Sequence, residues 1–242
     1  MSLKIHAIAA IFAISATSWA HADVNLATQG FTLKSTGPWD YWSGATLISD
    51  ANNVAQFSLT DFAAYAKFSL SSLYHGTDGT IVDAYYNVGV RNGYEITRIE
   101  YSGTWVGELL PAPAPQQYDD STAGSANNES SSFLYVEGGG SIRQQFKDLN
   151  GSVPFSVLSN AGALTGSFAV SVASTLFLET EPGSWNWPSG SFGGTVESTA
   201  RMRLVDPVLS ISYARVSPVP EPASYALMLG GLALLGAIRF RR

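Results

Sequence analysis

The sequence predicts an all-β protein, an antiparallel β-sandwich of jelly-roll or immunoglobulin-like type. Two segments, 168–178 and 195–204, alternate apolar and polar residues with a period of two, a pattern typical of strands with one buried face. The chain also contains 23 Gly and 11 Pro, and turn residues separate many short apolar segments. Many short strands joined by such turns are typical of a sandwich.

Composition narrows the class of protein further. The chain has 242 residues, a net charge of −6, 45% apolar residues and 13% charged residues. Low charge with many aromatics is not typical of a disordered chain. The lack of cysteine excludes disulfide scaffolds, thiolate zinc sites, iron–sulfur clusters and cysteine nucleophiles. The acidic balance argues against nucleic acid as a partner, because its binding depends on clustered Lys and Arg.

Residues 1–22 have the features of a cleaved N-terminal signal peptide. Lys4 precedes an apolar run over 5–16, and Ala20 and Ala22 flank His21 in the small-x-small pattern that signal peptidase recognises. The apolar run is short for a membrane-spanning anchor. We therefore predict export, with Asp23 as the new N-terminus.

The C-terminus has the features of a membrane anchor. Pro220, Glu221 and Pro222 precede an apolar stretch over 223–238, and Arg239, Arg241 and Arg242 follow it. Sixteen helical residues rise roughly 24 Å, slightly less than a hydrocarbon core of about 30 Å. Because terminal arginines resist translocation, they are expected to stay cytoplasmic while the preceding domain faces outward. A single transmembrane helix is predicted over 225–238.

The proline-flanked glutamate, the Leu-, Gly- and Ala-rich helix and the arginine end together resemble the PEP-CTERM sorting signal. The resemblance covers about the last 25 residues, and only Phe240 interrupts the basic end. It implies processing near Pro220-Glu221-Pro222 by exosortase, a membrane enzyme of Gram-negative bacteria that make extracellular polysaccharide. The helix would then be a temporary anchor. The alternative is a permanent single-span anchor.

Residues 23–217, between the two terminal signals, are predicted to form the exported β-sandwich domain. It holds all but one of the 19 acidic residues and 9 of the 13 basic ones. An Asn92-Gly93 turn predicts a hairpin, and a change of phase between Ile96 and Ile99 predicts a bulge. Segment 62–69 is compatible with a strand or a short helix. Further strands are predicted at 54–59, 81–90, 94–106, 132–136, 141–146 and 208–216.

Two segments are predicted to be loops. Residues 111–131 begin with three prolines within five residues and continue as a polar run rich in Ser, Asn and Asp. Residues 183–194 combine tryptophan, proline and several glycines. Both compositions favour exposed connections.

Motifs for catalysis are mostly missing from the mature chain. After signal cleavage His75 is the one remaining histidine, and no Gly-x-Ser-x-Gly elbow accompanies it. A single histidine does not favour a transition-metal centre, and the phosphate-loop and dinucleotide fingerprints are missing. We therefore predict that the protein is not an enzyme and has no cofactor and no metal site.

Paired acids leave one catalytic alternative open. Glu179 and Glu181 lie two apart, so they point to the same side of a strand, and two tryptophans that could stack on sugars follow. Such carboxylates could support glycosidic chemistry at a suitable separation. A solvated strand end is the favoured interpretation. Asp119 and Asp120 are interpreted in the same way, because the ordered oxygen spacing of a calcium loop is missing.

Clustered tryptophans suggest a binding function instead. Trp39 and Trp42 flank Asp40, and Trp185 and Trp187 flank Asn186. Rings exposed in loops at one end of a sandwich could stack on polysaccharide while the polar residue binds hydroxyls. Packing over the open end of the sandwich would use the same residues.

The sequence thus predicts an exported surface or extracellular-matrix protein that exosortase processes at its sorting signal. The expected route crosses the inner membrane, with transient anchoring and then a location at the cell surface or outside the cell. The expected partners are signal peptidase, exosortase and the membrane, with extracellular polysaccharide as a further partner if the tryptophan loops form a carbohydrate-binding module.

Overall fold

The computed structural model describes residues 24–36, 44–115, 120–160, 162–216, 227–230 and 232. These residues form fifteen strands, a short helix α1 and a helical stretch at 227–230. In chain order the elements are β1 (Asn25–Ala27), β2 (Phe31–Ser35), β3 (Thr46–Ala51), β4 (Val54–Ser58), α1 (Thr60–Tyr65), β5 (Lys67–Ser72), β6 (Gly76–Val90), β7 (Tyr94–Leu110), β8 (Ser121–Thr122), β9 (Ser125–Val136), β10 (Gly140–Lys147), β11 (Gly151–Ser159), β12 (Ser167–Glu181), β13 (Gly183–Asn186), β14 (Phe192–Val196) and β15 (Ser198–Arg215).

Two large antiparallel sheets and one small sheet organise these strands. The first sheet has the order β1-β2-β6-β12-β9-β10, and the second has the order β11-β7-β15-β4-β3, with β5 also pairing with β15. The small sheet has the order β14-β13-β8. The predicted all-β, antiparallel architecture is confirmed, and the choice between jelly-roll and immunoglobulin-like connections stays a prediction.

The core lies between the two large sheets. Val170, Val172 and Leu178 face it from β12, and Met202 and Leu204 face it from β15. Each of these alternates with a more exposed residue on the same strand. Burial of one face of each sheet is the physical reason for the period-two pattern in these two strands.

Two hydrogen bonds join the sheets inside this core. The Trp105 indole Nε1 donates to Ser132 Oγ at 3.0 Å, and the Tyr101 hydroxyl and Ser174 Oγ are 3.0 Å apart. Burial raises the pKa of Tyr101 above its ordinary range, because a low-dielectric core disfavours the charged phenolate. These bonds satisfy polar atoms that would otherwise be buried without a partner.

The Asn92-Gly93 turn does not form the predicted hairpin. Gly93 has a φ of +82°, as a tight turn requires, but β6 and β7 lie in different sheets. Near the turn β6 pairs with β2 and β12, while β7 pairs with β15 on one edge and Ile96 bridges to Leu164 on the other. Both edges of each strand are occupied, so the turn carries the chain from one sheet to the other.

Other local predictions have mixed outcomes. The bulge is confirmed, because the register with β15 shifts between Ile96 and Arg98. Segment 62–69 contains the end of α1 and the start of β5, so both interpretations apply to part of it. The predicted single strand over 195–204 is two strands, since the chain leaves the small sheet at Val196 and enters the second sheet at Ser198.

The polar segment before residue 131 is not the long loop that its composition predicts. Residues 125–131 belong to β9, which pairs with both β10 and β12. Asn128 is 2% exposed, and its side chain bonds both the backbone N–H and the carbonyl of Leu149, at 2.7 and 2.8 Å. A polar residue is tolerated on the buried face because its hydrogen bonds are satisfied there.

Candidate functional site

The tryptophan pair of the second predicted loop lies on an ordered hairpin. Strands β13 and β14 pair with each other, so 183–194 is not a simple exposed loop. The Trp185 ring lies against Gly193 and Gly194, where an added Cβ would come within 2.3 Å of Nε1 and 2.4 Å of Cη2, respectively. Trp187 is 48% exposed at the adjacent turn. The Trp185 ring is therefore packed against the hairpin, whereas the Trp187 ring is accessible to solvent.

The paired acids share a face, as predicted, but have different partners. Glu181 Oε1 lies 3.6 Å from His75 Nδ1, with both side chains more than half exposed. Glu179 accepts a hydrogen bond from the Asn127 side-chain amide at 3.5 Å. Among the residues that the structure describes, no group of three His, Asp or Glu is placed to hold a metal ion. Asp120 is an exposed residue just before β8.

An aromatic face covers the outer side of the first sheet, and the sequence analysis did not identify it. It consists of Tyr85, Phe133, Tyr135 and Phe177. Tyr85 and Tyr135 are both directly opposite Ser171, one on each neighbouring strand, so their Cα atoms are about 10 Å apart. Each is close to half exposed. A sequence signal for this face exists: aromatics recur at the outward positions of β6, β9 and β12, where polar residues are usual.

Polar groups accompany this aromatic face. The Tyr85 hydroxyl donates to Asp83 Oδ2 at 2.8 Å, and the Arg143 guanidinium lies 4.9 Å from the centre of the Phe133 ring. Ser171 and Ala173 occupy the central strand between the aromatics. These small residues on β12 therefore lie between larger side chains on the two neighbouring strands.

A basic groove of about 860 Å³ lies on the outer side of the second sheet. It is lined by residues of β5, β7 and β15 and by the start of β11, with Lys67, Arg201 and Arg203 as its cations. Both arginines lie at the polar positions of the alternating segment 195–204, so the period-two pattern accounts for their outward direction. It gave no indication of Lys67, since strand pairing brings β5 beside β15.

The sorting residues identified from the sequence lie outside the described part of the chain. They include Pro220, Glu221 and Pro222, the arginines 239, 241 and 242, and Ala20 and Ala22 at the signal cleavage site. Trp39 and Trp42 are outside it as well. Most of the predicted membrane helix, 225–238, also lies outside the described part of the chain. No helix within the described ranges is long and apolar enough to cross a membrane.

The described part of the domain ends on a central strand. β15 pairs with β7 over most of its length and with β4 and β5 on its other edge. The backbone N–H of Val216 then donates to the Gly93 carbonyl at 2.9 Å. The C-terminal segment therefore leaves directly from the second sheet.

Comparison with known protein families identifies the type of this C-terminal segment. A family model for the PEP-CTERM protein-sorting motif matches residues 218–242. The chain carries a PEP-CTERM sorting motif. The PEP-CTERM motif begins two residues after Val216, so the sorting signal and the β-sandwich adjoin with almost no linker.

Comparisons of the whole chain are much weaker. No curated protein matches it. Among solved structures, the carbohydrate-binding module TmCBM61, in complex with β-1,4-galactotriose, matches 73% of this chain and 92% of its own, at 10% identity and a TM-score of 0.25. A structure of the infectious bursal disease virus Gt strain matches 85% of this chain and 60% of its own, at 15% identity and a TM-score of 0.21. TM-scores this low do not establish a common fold with either structure.

Proposed function

We propose that the chain is an exported, non-enzymatic protein of the cell surface or extracellular matrix, cut at its PEP-CTERM motif by exosortase. The motif over 218–242 is the observation that carries this proposal. The proposed organisation is a signal peptide over 1–22, an exported domain over 23–217 and the sorting signal after it. Export by the general secretory route requires signal peptidase and passage through the inner membrane of a Gram-negative cell.

The chemistry of the motif supports cleavage just outside the membrane. A proline disfavours helix for the residue before it, so Pro220 and Pro222 favour an extended backbone around Glu221. The apolar segment 225–238 would hold the substrate in the bilayer until it is cut. The arginines at 239, 241 and 242 would keep the C-terminus in the cytoplasm.

The position of β15 adds a spatial constraint on this step. Val216 is bonded to Gly93 at the end of the sandwich, and four residues reach at most about 14 Å. Pro220 therefore cannot lie farther than this from Val216. Exosortase would have to act with the folded domain close to its own surface and to the membrane.

The non-enzymatic part of the proposal is supported by the one histidine of the mature chain. His75 is exposed and faces Glu181 across a strand end. Nothing in that contact places a nucleophilic serine beside it, as acyl-transfer catalysis needs. The glycoside-hydrolase alternative rests on Glu179 and Glu181, and turnover of a glycan that survives Glu181→Gln would dismiss that assignment.

Intact mass of the mature protein from surface and medium fractions of the host tests the sorting proposal. The expected mass begins at Asp23 and ends near 220–222. Replacing Glu221 by alanine should shift most of the protein to the uncut, membrane-associated form, because the enzyme loses the acidic residue of the motif. Deletion of 239–242 should also reduce correct cutting, because the tail can then slip outward.

Glu197→Ala is the matched control for this experiment, since it removes an exposed glutamate outside the matched region and should leave cutting intact. A mass running from Asp23 through Arg242, found only in membranes, would contradict the proposal and indicate a permanent anchor. Unchanged processing after deletion of 239–242 would contradict the topology.

A second candidate function is carbohydrate binding, and the aromatic face of the first sheet favours it. Tyr85 and Tyr135 stand on either side of Ser171, where aromatic rings could stack on sugars while Asp83 and Arg143 bind hydroxyls. This surface replaces the 183–194 hairpin as the favoured location among the described residues, because Trp185 packs against Gly193 and Gly194.

Affinity electrophoresis against the host's own surface polysaccharide tests this second candidate. The double variant Tyr85→Ala, Tyr135→Ala should reduce retardation by roughly tenfold, since stacking at two rings is lost. Trp187→Ala tests the accessible tryptophan of the β13–β14 hairpin in the same gel. Equal retardation of the double variant and the unaltered protein would contradict this use of the aromatic face.

A further inference from the structure

The basic groove has a charge pattern that the fold alone does not explain. Lys67 on β5 and Arg203 on β15 are directly opposite each other in the antiparallel register. Like charges in this position destabilise a sheet. Within the described residues, neither side chain forms an ion pair. Two exposed cations are therefore held side by side without an ion-pair partner in the described part of the chain.

The third cation of the groove is only partly neutralised by its surroundings. Arg201 forms an ion pair with Glu108 on β7, with 3.0 Å between Nη1 and Oε2. Both side chains are about half exposed, so water and salt weaken this pair. Arg201 and Arg203 are two residues apart on one strand, so their Cα atoms are about 7 Å apart on the same face. The groove thus holds three cations and one acid.

This local charge is opposite to that of the chain as a whole. The protein has 19 acidic and 13 basic residues, and a net charge of −6. Three of the basic residues line a single groove on the flat outer side of the second sheet. A bound anion would offset the repulsion between Lys67 and Arg203 and would be attracted to the groove from a distance.

We propose that the basic groove binds a carboxylated polysaccharide, with Arg203, Arg201 and Lys67 contacting its carboxylates. Guanidinium groups bind carboxylates through paired hydrogen bonds. The Ser69 hydroxyl and the Asn150 amide line the same groove and are suited to sugar hydroxyls. Its residues belong neither to the sorting motif nor to the aromatic face, so the proposal does not depend on either.

Size and charge distinguish this ligand from other anions. A groove of about 860 Å³ lies toward the upper end of the range for ligand sites, and a single inorganic ion would leave most of it empty. Nucleic acid carries a phosphate charge about every 1.7 Å of duplex, a denser line of charge than the three cations of the groove can neutralise. A uronic-acid chain combines spaced carboxylates with many hydroxyls, as the lining requires.

Isothermal titration of the full-length protein with an oligogalacturonate in about 0.15 M salt tests the proposal. We expect saturable binding that is lost when the carboxylates of the same oligosaccharide are methyl-esterified. Arg203→Gln should weaken binding about tenfold or more, because a charge-assisted hydrogen bond to carboxylate is removed. Lys67→Gln should weaken it by a smaller factor, since an ammonium bonds carboxylate through a single point of contact.

Arg91→Gln is the matched control, because it removes the same charge from an exposed turn away from the groove. Equal weakening by Arg91→Gln would overturn the proposal, since binding would then follow net charge alone. Equal affinity for the methyl ester would overturn it as well. Displacement by inorganic phosphate at matched charge, or equal binding of single-stranded DNA, would show a general anion site and not a polysaccharide site. A dimer that forms through the groove and excludes the oligosaccharide would assign the groove to a second copy of the chain.

Discussion

Replacing Trp105 by alanine is expected to lower the free energy of unfolding by about 3–5 kcal/mol. Trp105 is fully buried between the two large sheets. Its ring stacks with that of Phe155 at a centroid distance of 6.3 Å, and its Nε1 donates to Ser132. The substitution removes a large apolar surface from the core, leaves a cavity and deprives Ser132 of its donor. Urea unfolding monitored by far-ultraviolet circular dichroism would measure the change.

Trp187→Ala is the matched control for this prediction. The same side chain is removed, but from a position that is 48% exposed, so a change within about 0.5 kcal/mol is expected. A loss of less than about 1 kcal/mol for Trp105→Ala would be inconsistent with a well-packed core at this position. If both variants lost the same free energy of unfolding, the difference in burial between Trp105 and Trp187 would be contradicted.

Stability is also expected to fall between about pH 10 and pH 12, with Tyr213 as a main cause. Burial, with a smaller contribution from the hydrogen bond to Asp50, raises the pKa of Tyr213 to about 12. The hydroxyl donates to Asp50 Oδ1 at 2.6 Å. Because the pKa is higher in the folded state, this contribution is complete below the ordinary tyrosine pKa of about 10. It is lost as the pH rises toward 12, and a shift of this size corresponds to roughly 2–3 kcal/mol.

Urea unfolding at a series of pH values from 8 to about 12 would measure this loss. Tyr213→Phe should make the slope between pH 10 and 12 shallower by up to about one proton, although Tyr101, which burial also shifts upward, keeps part of the decline. Tyr74→Phe is the control, because Tyr74 is 76% exposed. An unchanged slope in Tyr213→Phe would contradict the role of the Tyr213–Asp50 contact.

The strands that the sequence predicted best are those whose buried faces are apolar. β12 and β15 have mostly apolar inner faces, with Ser174, Thr180 and Ser198 as buried polar exceptions, and the pattern located most of their inward residues. β9 was only partly predicted, because Asn128, Ser130 and Ser132 occupy its buried face. The suitability of Asn128 and Ser132 for this face depends on their partners Leu149 and Trp105, which lie elsewhere in the sequence. Periodicity of hydrophobic residues cannot reveal a strand whose inner face is polar.

The candidate sites, like the strands, were predicted only in part from the local sequence. Trp185 and Trp187 have the same local sequence context, yet one packs against Gly193 and Gly194 and the other is accessible. The difference comes from the pairing of β13 with β14. The aromatic face and the basic groove likewise combine residues from several strands, so no single segment of the sequence contains either.

The sequence by itself determined that the chain ends in a PEP-CTERM sorting motif, because such a signal is a linear peptide whose residues are adjacent. It also determined an antiparallel β domain, since one-sided burial leaves a local pattern. Only the tertiary structure decided which strands pair, that β6 and β7 lie in different sheets, and that Lys67 stands opposite Arg203. Strand pairing depends on which strand edges are free, and this is determined by contacts between residues that lie far apart in the chain.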